Sequence, residues 1–237
     1  MTFRQRHAAP RATGRLAVVA VIALAVVLAA CEATGASFAP GGSATGGSGE
    51  GGSGSGGTGC PSAQPAPLAA GETRTVTIST DLGDIAMKVE ADLSPIAVGN
   101  FVALAACGYY DGVVFHRVVP GFVIQAGDGE NGRGPNVDSS RVGTGGPGYT
   151  IADEPVTATY RRGTLAMARS SRPDSQGSQF FIVLDDSAKL SLADANTYAI
   201  LGEVTVGMEV ADAIAAAADQ EIPTDPVVMT TVEVANP

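Results

Sequence analysis

The chain has no tryptophan, two histidines (His7 and His116) and three cysteines (Cys31, Cys60 and Cys107). So few imidazoles and thiols cannot furnish a conventional His/Cys metal site, and no metal or cofactor is expected. Charge is scarce as well. Charged residues make up 16% of the 237 and hydrophobic ones 45%, which rules out a disordered polyelectrolyte and leaves material for a core. Cations are the scarcer sign: the first 30 residues hold Arg4, Arg6, Arg11 and Arg15 and no acid, so beyond them 10 Lys and Arg face 24 Asp and Glu, a net of −14. A surface of that sign repels a phosphate backbone and excludes nucleic acid as the partner. The N-terminal apolar run, Leu16 to Ala30, has 15 residues and falls short of the about 20 that span a bilayer as a helix. At about 150 residues per domain, the length fits one domain with appendages or two small ones.

That run follows a basic segment and ends in Leu28-Ala29-Ala30-Cys31, the charged, apolar and small-residue succession of an export signal. Leu-Ala-Ala-Cys resembles the bacterial lipoprotein signal, in which the Cys thiol is acylated and becomes the new N-terminus. Residues 1–30 are then a removed signal, and Cys31 carries a lipid that anchors the protein outside the cytoplasm. The alternative is an ordinary cleaved signal with an incidental Cys. Glu32 to Gly59 is dominated by Gly, Ser, Ala and Thr, which have little apolar area to offset the entropy of ordering. Residues 31–69 therefore read as the lipidated Cys31 plus a flexible tether, whose low-complexity part spans about 30 Å as a coil. The domain is expected over 70–237.

From about Ala70 the pattern becomes β-type. Val76 and Ile78 alternate with Thr75, Thr77 and Ser79, a turn follows at 81–84, and Ile85, Met87 and Val89 alternate with Lys88 and Glu90, which predicts a hairpin. Ser94-Pro95 supplies an N-cap and a first helical residue. Val98, Phe101, Val102 and Ala105 recur at helical spacing and Gly108 stops the run, so a helix of about 13 residues is expected. A second helix is predicted over Met208 to Ala218. Short strands are expected at 113–118, 122–125, 165–168, 180–184, 199–204 and 227–234. Many short strands, Gly-rich connections and two helices mean a closed barrel or sandwich.

Several segments carry chemistry beyond pattern. The run 115–128, Phe-His-Arg-Val-Val-Pro-Gly-Phe-Val-Ile-Gln-Ala-Gly-Asp, resembles the signature strand pair of the cyclophilins, the peptidyl-prolyl cis-trans isomerases. Gly177-Ser178-Gln179-Phe180-Phe181-Ile182 resembles their second signature, and the runs 143–149 and 165–169 match in the family's order. The resemblance covers about 73–234. It implies a mainly β fold, a closed eight-stranded antiparallel barrel capped by two helices, acting on proline-containing peptides; with the export signal the substrates are expected to be unfolded exported proteins, and nothing in the sequence suggests other than a monomer. It implies Arg117 as the catalytic residue and Phe122, Val123 and Phe181 as the proline pocket, with Leu184 left in the core. Gln125 and Gln179 hydrogen-bond the peptide, Ala168, Arg169 and Ser170 line the groove with backbone groups, and Tyr198 stands at the rim.

The reaction explains these residue types. Rotating an X-Pro amide breaks its resonance against a barrier of about 18–20 kcal/mol and cuts no bond, so the enzyme needs neither nucleophile nor metal. It needs a site that binds the twisted amide better than the planar one. A rival reading from another class is a non-catalytic module that grips proline segments as a chaperone. Departures from the family pattern are Val123 for the usual Met, Ala126 for Gly, the turn 169–172, and the absence of the Trp that many members present to cyclosporin, for which nothing between Leu190 and Asp194 substitutes.

Other motifs read as structure. His116 should face away from Arg117, Phe180 should point into the core, and Ser178 lacks the nucleophile elbow of a hydrolase. Residues 127–132 spell Gly-x-Gly-x-x-Gly without a βαβ unit around them. Asp128, Glu130, Asn131 and Asp138 fail the EF-hand spacing, so 129–142 is expected to be a surface loop. With Cys31 acylated, Cys60 and Cys107 remain as an even pair in an oxidising compartment and are expected to form a disulfide.

Overall fold

A computed structural model describes residues 59–235. The expected signal 1–30, Cys31 and the tether up to residue 58 lie outside the described residues. The elements in chain order are β1 (Thr73–Thr80), β2 (Gly83–Glu90), α1 (Pro95–Ala106), β3 (Arg117–Val119), β4 (Val123–Ala126), β5 (Thr164–Met167), β6 (Phe180–Val183), α2 (Ala188–Ala195), β7 (Ile200–Val206), α3 (Met208–Ala217) and β8 (Thr231–Ala235). The eight strands form one antiparallel sheet in the order β3-β4-β6-β5-β7-β2-β1-β8.

The predicted hairpin is β1 and β2, paired from Thr73↔Glu90 to Thr80↔Gly83. Its alternation puts Val76, Ile78, Ile85, Met87 and Val89 in the core with no exposed surface. Strand register sorts the centre of the sheet into two faces. Val118, Ile124, Ile182 and Leu165 are cross-strand neighbours and join the main core with α1 and α3. Their alternates Val123, Phe181, Ala166 and Ile200 emerge on the opposite face in a second apolar cluster, with Tyr160 and with Ala188 and Leu192 of α2. A sheet apolar on both faces is covered on both faces, and the second cover is where the site lies.

Helix α1 begins at the predicted place, but Ser94 does not cap it: the Ser94 hydroxyl donates to the Leu93 carbonyl. The Glu154 carboxylate accepts instead from the amides of Ile96 (2.9 Å) and Ala97 (2.8 Å), an anion at the positive end of the helix.

Two expectations are corrected. The sheet is open, not a closed barrel. Its end strands β3 and β8 share no ladder, and only the segments preceding them touch, through the isolated bridge Val114↔Val228. The physical reason is at the outer edge of β3, where the Val118 amide donates to the Glu221 carbonyl of a loop (2.8 Å) and not to a strand. The described residues form three helices, not two; α2 has two buried residues, no side-chain cap at Ser187 and a left-handed Asn196 at its end, so its sequence carries little apolar periodicity. Cys60, Gln64 and Leu68, within the stretch 31–69, also contact the domain. Leu68 packs on the core and donates its amide to the Pro95 carbonyl (3.0 Å), Gln64 accepts from the Ala152 amide (2.9 Å), and Cys60 is disulfide-bonded to Cys107 with Cα atoms 5.2 Å apart.

Candidate active site

Strands β3 and β4 are joined by Val119-Pro120-Gly121-Phe122, in which the Phe122 amide donates to the Val119 carbonyl (2.9 Å) and Gly121 sits at φ 72°. Proline second and a left-handed glycine third is the chemistry of a tight type II turn. The turn carries Phe122 to the tip of the hairpin. Behind it the register places Arg117 opposite Gln125 and Gln125 opposite Phe181, so the three side chains lie in one row on the outer face.

These residues frame a cleft of about 280 Å³ lined by Arg117, Phe122, Val123, Gln125, Ala168, Arg169, Phe181, Leu192 and Tyr198. Eight of the ten sequence-predicted site residues of the domain are therefore brought together. The Phe181 and Tyr198 rings meet edge to face at 5.4 Å, and Tyr160 fixes Tyr198 from beneath, donating to its carbonyl (2.9 Å). The Arg169 guanidinium pairs with Asp153 (3.0 Å) and donates to the Arg172 carbonyl (2.7 Å).

Gln179 and Ser170 do not line the cleft. Gln179 stands behind it, its oxygen accepting from Gln125 (2.9 Å) and its amide nitrogen donating to the carbonyls of Gly143 (3.0 Å) and Gly145 (2.8 Å). It orients Gln125. Ser170 is exposed in the following turn, where its amide donates to the Ser175 hydroxyl (3.2 Å).

The 129–145 loop that receives Gln179 is built on Asp128, whose side chain is buried. The amides of Glu130 and Asn131 donate to one of its oxygens and those of Gly143 and Gly145 to the other. Burial acts to raise the pKa of this carboxyl, but the four backbone donors outweigh it and the net shift is downward. Asp128 thus works as a loop organiser. Its sequence neighbour Gly127 is at φ 98° with the Ser178 carbonyl where a Cβ would stand, so the strand ends there only with glycine.

No carboxylate, histidine or thiol lines the cleft among the described residues. Ser178 is buried, its hydroxyl donating to the Gly127 carbonyl (2.6 Å), and is no nucleophile. His116 is buried on the other side of the strand, and burial pulls its pKa down to about 4, leaving it neutral. What remains is a wall of Phe122, Val123, Phe181 and Leu192 beside the polar groups of Gln125 and Tyr198 and two guanidiniums, Arg169 and Arg117. Arg117 donates from Nε to Glu221 Oε1 (2.7 Å), and its two terminal nitrogens have no acceptor among the described residues.

The family model for cyclophilin-type peptidyl-prolyl cis-trans isomerases matches residues 75–234. The chain belongs to this family. It is 39% identical over 155 residues to a Brucella abortus protein named "Probable peptidyl-prolyl cis-trans isomerase", covering 65% of this chain and 77% of the relative. It is 37% identical over 172 residues to peptidyl-prolyl cis-trans isomerase A of Dickeya dadantii, covering 69% of this chain and 86% of that one. Among solved structures it resembles a Cryptosporidium parvum cyclophilin-type isomerase at 31% identity and TM-score 0.58, covering 70% of this chain and 99% of that one. That isomerase was also solved in the presence of the dipeptide Ala-Pro. The chain is accordingly a peptidyl-prolyl cis-trans isomerase with the family's mainly β fold.

Two residues of this isomerase escaped the sequence reading. Leu192 closes the cleft from α2, in a segment without a readable helical stripe. Glu221 pairs with Arg117 across 104 positions, and no local pattern marks it.

Proposed function

We propose that Arg117 is the catalytic donor of this isomerase and that Phe122, Val123, Phe181, Leu192 and Tyr198 receive the prolyl ring. The observation that carries the reading is the row Arg117–Gln125–Phe181, which sets the free end of a guanidinium beside the apolar wall of Phe122, Val123, Phe181 and Leu192. As the amide twists, the lone pair localises on the prolyl nitrogen, so a donor fixed beside it binds more strongly in the transition state than in the planar ground state. Arg is always charged and presents several N–H groups in a rigid fork. The apolar wall disfavours the more polar planar amide. Gln125, held by Gln179, is left to bond the peptide around the proline. The Ala-Pro dipeptide present with the C. parvum relative supports a proline-containing peptide as the occupant.

The basic segment, the apolar run and Leu28-Ala29-Ala30-Cys31 support a place for this activity outside the cytoplasm, on a protein tethered to a membrane by lipid on Cys31 and assisting the folding of exported proteins.

The test is cis-trans exchange of an Ala-Pro peptide followed by NMR. Arg117→Ala is expected to slow exchange on the peptide-saturated enzyme by about 100-fold, near 2.7 kcal/mol at 1.36 per tenfold, with peptide affinity nearly unchanged. Equal rates in the two proteins would reject Arg117 as the donor. Binding without acceleration in the wild-type chain would leave a proline-gripping module.

A further inference from the structure

We infer that Glu221 is a positioning residue for isomerisation, holding the Arg117 guanidinium in the orientation in which its terminal nitrogens face the prolyl nitrogen. The inference rests on the reading of Arg117 given above. Glu221 meets β3 at two points. Its carboxylate accepts from Arg117 Nε at 2.7 Å, and its main-chain carbonyl accepts from the amide of the next residue, Val118, at 2.8 Å. Strand β3 is an end strand of the sheet, so its outward amide is free to take this loop and fixes the loop's height along the strand. The loop is closed on itself behind the contact: the Asp219 carboxylate accepts from the Thr224 amide (3.0 Å) and hydroxyl (2.8 Å). Glu221 therefore presents its carboxylate from a tied backbone and is more than the end of a swinging side chain.

The chemistry follows from which nitrogen is used. An arginine side chain with 36% of its surface exposed samples many rotamers unless something holds it. An acceptor on Nε fixes the plane of the guanidinium and leaves the fork formed by the other two nitrogens open. An acceptor on the fork would have competed with substrate. The Glu221 side chain is 61% exposed, and a pair this open adds little to stability, so its loss should be read in turnover before it is read in melting. Glu221 itself lines a groove of about 720 Å³, while its partner Arg117 lines the proline cleft.

The experiment compares the full chain with Glu221→Ala, Glu221→Gln and Arg117→Ala, measuring exchange on peptide-saturated enzyme, peptide Kd, thermal unfolding and the Arg117 Nε–H resonance. Glu221→Ala is expected to slow exchange by about tenfold, the scale of a misplaced catalytic group, with Kd within about twofold, Tm unchanged, and the Nε–H signal lost to solvent exchange. Glu221→Gln keeps an oxygen acceptor at the same reach and is expected to recover both the rate and the resonance. Wild-type or faster exchange in Glu221→Ala, beside a slow Arg117→Ala, overturns the inference and leaves Arg117 standing. A Gln variant as slow as the Ala variant also overturns it, since the hydrogen bond would then not be what matters. Wild-type exchange in Arg117→Ala removes the catalytic reading itself.

Discussion

His116 and Arg117 are adjacent in sequence and opposite in fate, because alternation along the chain sends one under the sheet's edge and the other to the cleft. His116 keeps 3% of its surface exposed, and neither ring nitrogen has a hydrogen-bond partner among the described residues. Burial is the main cause of its low pKa of about 4; the Arg117 cation adds to the shift and the Asp128 carboxylate opposes it. Protonation is therefore harder in the folded chain than in the unfolded one, whose imidazole titrates near 6.5. Between these values the unfolded chain holds more protons. Stability contributed by neutral His116 is full above about pH 6.5 and is lost as pH falls towards 4, by about 3 kcal/mol over the interval. Asp128, shifted downward, adds its own loss only at lower pH. Urea unfolding from pH 7.5 to 4 should show this slope in the wild type and a flatter one in His116→Leu; parallel curves would mean that His116 titrates normally.

Elements were legible where the signal is local and obscure where the partner is distant. The hairpin β1–β2 announces itself by alternation and a two-residue turn, and the strands of the site by the two signature runs. Helix α1 is legible at its N-terminus as Ser94-Pro95, yet its actual cap, Glu154, lies more than 50 residues away and nothing near it marks the role. The open sheet was misread as closed because strand signals alone do not tell whether an edge meets another strand or, as at Val118, a loop carbonyl. Gln179 was legible as a site residue but not as the one that holds Gln125 from behind, which depends on where the 143–145 carbonyls fall. Helix α2 was missed for the reason that makes it functional: its short apolar side is two residues, and one of them, Leu192, is spent on the cleft. Leu192→Ala should cost about 2–3 kcal/mol in unfolding and weaken Ala-Pro peptide binding several-fold. Unchanged affinity would make α2 a cover for the second cluster and not a wall of the site.

For the molecule as a whole, the Cys60–Cys107 disulfide bears on stability, and the proposed lipid on Cys31 bears on compartment and anchorage. Cys60 and Cys107 tie the entry of the domain to the end of α1 across 47 positions, and a disulfide of this kind persists in an oxidising compartment. By chain entropy, closing such a loop is worth about 4 kcal/mol against the unfolded state, less whatever the folded bond loses to strain. Cys31 is then the one cysteine left for acylation. The full chain, expressed with its leader in a bacterium that processes lipoproteins, should sediment with membranes. Denatured without reductant it should yield no titratable thiol. On the proposed reading, Cys31→Ser should move the protein to the soluble fraction with the thiol count still zero and the melting temperature unchanged, because the substitution lies in sequence before the domain. Reductant should lower the melting temperature of both forms alike. Two free thiols in the denatured Cys31→Ser protein would reject the disulfide, and membrane association that survives Cys31→Ser would reject the lipid anchor; each result stands independently of the other.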